Sequence, residues 1–127
     1  MNYFEKIPFE EYFAFFKTEA TLGSEFEQWI RIQYDYLKEP SYAGSLMYEL
    51  YSPNNFSILK GSSFVIPTGF RYVGERSGAH AVFCISDAMI ENISDEDAAK
   101  HIIIRGTSNQ NHCFQVGDRL IKLIFEE

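Results

Sequence analysis

Cysteine and histidine approach each other at two places in this sequence, and such pairs could form a reactive thiolate or part of a metal site. His80 precedes Cys84 by four residues, so both would share one face of a strand. His112 directly precedes Cys113. Zinc usually takes four ligands, often from closely spaced pairs, and neither Cys-x-x-Cys nor His-x-x-x-His occurs. Because Cys84 lies in the apolar run 81–85, a small core residue is the better interpretation. The sequence predicts no metal site.

The glycines do not form a phosphate-binding loop. The chain has eight of them, but neither Gly-x-Gly-x-x-Gly nor Gly-Lys-Ser/Thr occurs, and Lys60 precedes Gly61 rather than following it. Those patterns are the ones that bring backbone N–H groups to a phosphate. We therefore predict no catalytic residues, no enzyme and no cofactor.

Carboxylates are concentrated after residue 90. Ser94 can cap a short helix there, and acidic residues in a first helical turn suit the positive end of the helix dipole. A solvated helix start explains these charges, but they also predict an acidic patch that attracts a basic partner. The candidate residues are Glu91, Asp95, Glu96 and Asp97.

Aromatic residues crowd the other end of the chain. Of the 21 Phe, Tyr and Trp residues, 14 lie in the first 51 positions, together with nine carboxylates and four basic residues. Phe9, Tyr12, Phe13 and Phe16 form one helical stripe and are assigned to the core. Tyrosine is a favoured interface anchor because it buries a large area at low entropic cost. We therefore predict that five tyrosines outside this stripe contact a partner: Tyr34, Tyr36, Tyr42, Tyr48 and Tyr51.

The elements that position these residues change in type once along the chain. Pro8 can open a first helix, and Ser24 with Glu27 forms a capping box for a second helix that ends near Lys38, before Pro40. Short strands separated by turn residues follow. Residues 45–51 fit either a strand or a helix. The clearest predicted hairpin joins 112–116 to 119–125 through Gly117-Asp118.

The predicted fold class is α+β in a single domain, 1–127, with a helical part at 1–40 and a mainly β part at 45–127. Two N-terminal helices pack on a mainly antiparallel sheet of five to seven short strands. One short acidic helix is inserted near residues 94–101. Short turns favour antiparallel pairing, because parallel crossovers need longer connections.

Composition restricts the partners. A net charge of −7 and a pI near 4.9 argue against binding to nucleic acid or an anionic membrane. No apolar run approaches the ~20 residues of a membrane span, and the first residues do not resemble a signal peptide. Two cysteines are too few for a dense disulfide framework. We predict a cytoplasmic protein with reduced thiols that exists as a monomer.

In size, acidity, aromatic content and absence of a catalytic motif, the chain resembles bacterial toxin-immunity proteins of the contact-dependent growth inhibition type. The resemblance implies a non-enzymatic binding protein that neutralises a basic protein partner, the cognate toxin, by occluding its active site. A nuclease is one candidate for that toxin. A phage or mobile-element inhibitor of a host nuclease has the same profile. The alternatives are a small enzyme or ligand-binding domain with a pocket near His80 and Cys84, and a self-associating adaptor subunit.

Overall fold

Short strands dominate the protein. The computed structural model describes residues 3–16, 24–44, 46–83 and 88–126. Strands account for 42% of the described residues and helices for 23%. In chain order the described elements are β1 Tyr3–Lys6, α1 Phe9–Phe16, α2 Ser24–Asp35, β2 Ser41–Gly44, β3 Met47–Tyr51, β4 Phe56–Ile58, β5 Ser63–Pro67, β6 Phe70–Val73, β7 His80–Phe83, β8 Ala88–Ile90, α3 Asp95–Lys100, β9 Ile103–Ser108, β10 His112–Phe114 and β11 Arg119–Ile124.

The described strands form four antiparallel sheets. Two sheets are larger, with strand orders β2-β3-β11-β7 and β5-β9-β8, and two are the pairs β1-β6 and β10-β4. In the largest sheet, β11 has a neighbour on each side: Lys122 lies opposite Glu49 of β3 and opposite Val82 of β7. The last strand of the chain therefore joins segments that are far apart in the sequence.

All four sheets contribute to one hydrophobic core. Leu50 and Leu123 enter it from the largest sheet, Ile104 from the three-stranded sheet, and Tyr72 and Phe114 from the two pairs. Leu123 has no exposed surface. Burying a leucine side chain fully contributes about 1.5–3 kcal/mol to folding. Shared burial of this kind holds small sheets together where a two-stranded ribbon alone is only marginally stable.

The helices α1 and α2 form a second, separate cluster around Tyr12. Ile7, Phe9, Tyr12 and Ile30 are buried in it. Gln33 Nε2 donates a hydrogen bond to the Tyr12 hydroxyl. Burial raises the pKa of Tyr12 to about 12, so the hydroxyl stays protonated. The predicted stripe is thus the buried face of α1, at Phe9 and Tyr12, as its helical spacing implied.

The predicted architecture is wrong. The helices do not lie on one sheet of five to seven strands, because they pack around their own cluster and the described strands number eleven in four sheets. The N-terminal part also begins with a strand, β1, which pairs with β6. Alternation and turn residues mark where strands lie, but they carry little information about which distant strands pair.

The predicted hairpin at 112–125 shows the same error. Gly117 has a φ of +83°, and the Asp118 N–H donates to the Gln115 carbonyl at 3.0 Å, so a turn does form there. The strands on either side of it separate: β10 pairs with β4, whereas β11 pairs with β3 and β7. By its sequence, the segment 45–51 fits either a strand or a helix. Residues Met47–Tyr51 form the strand β3, and Ser45 lies outside the described residues.

Local signals were more accurate for α3. The Ser94 side chain accepts a hydrogen bond from the Asp97 N–H, as an N-cap should, and the helix runs from Asp95 to Lys100. Ala98 is buried on its inner face. Capping depends on residues three apart in the sequence, so a single chain segment contains all of the required information.

Gly69 connects the helical cluster to the sheets. Its carbonyl accepts from the Ile7 N–H at 3.0 Å, and its N–H donates to His101 Nε2 at 3.0 Å. Its φ is +83°, a conformation that costs L-residues about 1–2 kcal/mol. A Cβ at this position would also overlap the Leu37 side chain.

We expect Gly69→Ala to destabilise the protein by about 2–4 kcal/mol, since backbone strain and overpacking add. The matched control is Gly61→Ala, because Gly61 has a φ of +80° and a Cβ added there would meet nothing within 4 Å. That control should lose only about 1 kcal/mol from strain. Urea unfolding of both variants measures the difference, and equal losses would show that the Leu37 contact is unimportant.

Candidate functional site

A cleft of about 350 Å³ lies beside α3 and the strands β8 and β9. A cavity of this volume falls within the range of small-molecule sites. Its walls combine charged, polar and apolar side chains: Glu91, Asn92, Ile93, Asp97, Lys100, His101, Ile103 and Arg105. It has more charged side chains than three other clefts in the described part of the chain, so we treat it as the candidate functional site.

Backbone hydrogen bonds hold the two walls in place. The Glu91 N–H donates to the Arg105 carbonyl at 2.8 Å, which continues the β8–β9 ladder beyond Ile90 and Gly106. On the other wall, the His101 N–H donates to the Asp97 carbonyl at 2.9 Å and ends α3. The charged side chains therefore extend from regular elements rather than from long loops, which favours a fixed geometry.

His101 is neutral in this cleft. Its Nε2 accepts a hydrogen bond from the Gly69 N–H, so this nitrogen carries no proton and Nδ1 carries the proton of the neutral ring. Burial lowers the pKa of His101 to about 4. At neutral pH, His101 can donate a hydrogen bond from Nδ1 but cannot supply a positive charge.

The remaining charges of the cleft balance. Glu91 and Asp97 contribute two negative charges, and Lys100 and Arg105 contribute two positive charges, so the lining is formally neutral in a chain of net charge −7. Lys100 also pairs with Glu96 at 3.0 Å, and this hydrogen bond raises the pKa of the lysine. A lining with both signs of charge and two isoleucines suits a polar ligand that has an anionic group and an apolar part.

Two of the four predicted acids line this cleft. Glu91 and Asp97 are exposed and face it, whereas Asp95 Oδ1 accepts a hydrogen bond from the Gly78 N–H at 3.0 Å. Glu96 forms the i,i+4 ion pair with Lys100. The four acids are thus not one uniform patch, since each has a different local role.

The predicted tyrosines separate into buried and exposed ones. Tyr34 donates from its hydroxyl to the Ile7 carbonyl at 2.6 Å, and Tyr48 is buried in the main core. Tyr51 is half-buried and its hydroxyl lies 2.5 Å from Ser41 Oγ. Tyr36 and Tyr42 are exposed. Exposure is greatest at these last two, and contact of the five tyrosines with a partner stays a prediction.

The cysteine and histidine pairs form no common site in the described residues. Cys84 lies outside them. His80 is in the largest sheet, 3.5 Å from Glu126, whereas His112 and Cys113 are in the β10–β4 pair, where Cys113 contacts Ser57. In the part of the chain that the structure describes, no three His, Cys, Asp or Glu side chains are placed to hold a metal ion.

The sequence interpretation missed the basic half of the cleft. In the sequence, Lys100 is simply the end of an acidic run, and His101 and Arg105 are the ends of a short apolar segment. The available signal was a charged residue on each side of the junction between α3 and β9, namely Lys100 and Arg105. These residues indicate a site only when β9 is known to pair with β8. That pairing is a long-range contact.

Comparison with solved structures identifies the fold. The native dUTPase of EIAV matches with a TM-score of 0.56 at 16% identity, over 69% of this chain and 82% of that protein. A mutant dUTPase from phage phi11 of S. aureus, described with a structural Mg(II) ion, matches with a TM-score of 0.59 at 12% identity, over 72% and 84%. The protein therefore has a dUTPase-like jelly-roll fold.

Sequence comparisons give no further assignment. No family model matches the chain, and no curated protein matches it. Within the described residues, no helix is long and apolar enough to cross a membrane.

The fold contradicts the expected function. We expected a non-enzymatic immunity protein that inhibits a toxin, but the solved proteins that share this fold are enzymes by name. The error came from treating the absence of familiar motifs as absence of an enzyme fold. At 12–16% identity, a fold can persist when no short motif can be recognised.

The neutral state of His101 makes stability pH-dependent. Between the ordinary pKa of 6.5 and about 4, the unfolded chain binds a proton that the folded protein does not. The contribution of His101 to stability is therefore complete above pH 6.5 and is lost as the pH falls toward 4. We expect imidazole NMR to show the Nδ1–H tautomer in the folded protein down to about pH 4.

The control is His101→Gln, which keeps an oxygen that can accept from the Gly69 N–H but does not titrate. Its free energy of unfolding should fall less steeply than that of the unmodified protein between pH 6.5 and 4. Titration of His101 near pH 6.5 in the folded protein would contradict this description of the site.

Proposed function

We propose that the protein is an enzyme that hydrolyses a nucleoside triphosphate, with dUTP as the first candidate, in the cleft beside α3. The observation that carries this proposal is the dUTPase-like fold, since a dUTPase by its name acts on dUTP. Because the identity is low, the substrate does not follow from the fold and needs support from the chemistry of the cleft.

The charges of the cleft suit a nucleotide that arrives with a divalent cation. Arg105 and Lys100 offer N–H donors to phosphate oxygens, and the planar guanidinium of Arg105 can bind two of them at once. Mg²⁺ is commonly held by one or two carboxylates together with substrate phosphates. Glu91 and Asp97 supply two such carboxylates.

A resident metal ion fits less well. The phage phi11 protein is described with a structural Mg(II) ion, but the described residues of this chain contain no group of three suitable ligands. We therefore assign no step to a resident ion, and treat a divalent cation as part of the nucleotide substrate.

Hydrolysis would need a proton acceptor, and the cleft offers carboxylates for it. A water oxygen attacks a phosphorus atom and the bridging P–O bond breaks, so that pyrophosphate or phosphate departs. The proton of the water passes to Glu91 or Asp97. His101 cannot be the acid at neutral pH, because its pKa is about 4. It instead offers its Nδ1–H to the bound nucleotide while Nε2 remains on the Gly69 N–H.

The apolar part of the lining has room for a base or sugar. Ile93 is buried and Ile103 is half-buried, and both line the same cleft as the charged groups.

Nucleotides are abundant in the cytoplasm, which is where we propose that the protein acts. The expectation of a basic protein partner is independent of this activity and stays a prediction.

The test is nucleotide hydrolysis by the purified protein. We expect release of pyrophosphate or phosphate from dUTP with Mg²⁺ present, at a higher kcat/KM than from dCTP, dTTP or UTP. Arg105→Ala should lower kcat/KM for dUTP on the order of 10²-fold, because it removes donors from developing phosphate charge.

The matched control is Arg71→Ala, which removes the same charge from β6, where Arg71 is paired with Glu5 outside the cleft. It should retain the activity of the unmodified protein. If no nucleotide is hydrolysed, or if both arginine variants lose activity equally, the proposed function in this cleft is wrong.

A further inference from the structure

Helix α2 leaves an apolar face uncovered. Trp29, Ile32 and Tyr36 are 76%, 58% and 75% exposed, and their spacing of three and four residues places them on one side. The opposite side of the helix is already used, because Ile30 is buried and Phe26 packs against the helical cluster. A solvent-facing helix side is normally polar, so these exposed side chains need an explanation.

Two turns extend this face into a groove. Val116 is half-exposed and lies in a groove of about 280 Å³ between α2 and the turns at 53–55 and 115–118. The Val116 N–H donates to Asn55 Oδ1 at 2.8 Å, which ties the two turns together. The groove is lined by Trp29, Ile32, Gln33, Tyr36, Pro53, Asn54, Asn55 and Val116.

Three carboxylates lie near the groove in the sequence, and its described lining residues include no Lys or Arg. Glu25 lies four residues before Trp29, and Asp35 lies three residues after Ile32, so both lie on the exposed apolar side of α2. Asp118, two residues beyond Val116, is also exposed.

The nearby cations are directed elsewhere. The Arg31 guanidinium lies over the Phe9 ring at 3.9 Å from its centre, and the Lys38 ammonium lies over the Tyr51 ring at 4.0 Å. Cation–π contacts of this kind keep both positive charges on other parts of the surface. Arg119, which follows Asp118, lies 3.8 Å from Glu49 of β3. The groove is therefore apolar with a negative border.

We infer that this groove binds a basic amphipathic helix of another protein. Apolar side chains at helical spacing would insert between Trp29, Ile32 and Val116, while Lys or Arg residues beside them would face the carboxylates. The 12 residues of α2 extend about 18 Å, enough for a segment of about three turns to lie along it.

The negative border favours a basic helix over a second copy of the chain, a lipid surface or nucleic acid. A second copy of the chain would place one negative border against another, and like charges across an interface are repulsive. Anionic lipid and nucleic acid are repelled for the same reason. The groove shares no lining residue with the α3 cleft, so this inference does not depend on the proposed enzymatic function.

Trp29 gives a direct measurement because it is the single tryptophan of the chain. The probe is a helical peptide of Leu and Lys with one apolar face. It is about 18 residues long, because shorter peptides form helices poorly in water, and about three of its five turns can lie along α2. Its control has Glu in place of every Lys. We expect the Leu/Lys peptide to bind one-to-one with a blue shift of Trp29 emission and to weaken with rising salt. The Leu/Glu peptide should give no shift.

Two variants test the location. Ile32→Ser keeps the fluorophore and should weaken binding about tenfold or more, since it removes a central apolar anchor. Met89→Ser is the control, because Met89 is 80% exposed and lies outside the groove. It should bind like the unmodified protein.

Four results would overturn the inference: no binding of the Leu/Lys peptide, equal binding of both peptides, equal weakening by the two variants, or a concentration-dependent blue shift of the protein alone. The last result would assign the groove to a second copy. Hydrolysis assays need not be repeated, because failure of the enzymatic proposal leaves each of these readouts unchanged.

Discussion

The hydrogen bonds at Gly69 are the contacts on which the other parts of the structure depend. The Gly69 carbonyl accepts a hydrogen bond from the Ile7 N–H in the helical cluster, and the Gly69 N–H donates one to His101 at the end of α3. Because Gly69 has a positive φ and Leu37 occupies the space of a Cβ, the backbone can make both bonds only with glycine at this position. The same N–H fixes the tautomer of His101, so the position that joins the two clusters also determines what the cleft can donate.

Local elements could be predicted from the sequence, and their assembly could not. The cap of α3 at Ser94 and the turn at Gly117 depend on residues within three or four positions, and both are present. Strand pairing depends on contacts across most of the chain: β1 pairs with β6, and β11 pairs with β3 and β7. Turn chemistry predicted that β10 pairs with β11, but β10 pairs with β4 instead.

The candidate site shows the same division. Glu91 and Asp97 were identified as a charge cluster on one short segment, which a sequence displays directly. Arg105 joins them only through the β8–β9 pairing, and the role of His101 depends on an N–H that comes from residue 69. Neither fact has a signature in the spacing of residues. The tyrosines also have roles inside the protein that spacing does not reveal: the Tyr34 hydroxyl donates to the Ile7 carbonyl, and the Tyr48 ring packs against Phe4.

The distribution of charge separates the two surfaces. In the α3 cleft, two cations balance two carboxylates, so the nucleotide that we propose as substrate could approach without meeting the full negative charge of the chain. On the α2 groove, the cations that could balance the carboxylates are held over Phe9 and Tyr51, which leaves the border negative. An acidic protein that acts on an anion needs such an arrangement, because long-range repulsion slows the encounter unless the local field at the site is neutral or positive. The same acidity favours a basic partner at the α2 groove, whose described lining residues include no Lys or Arg.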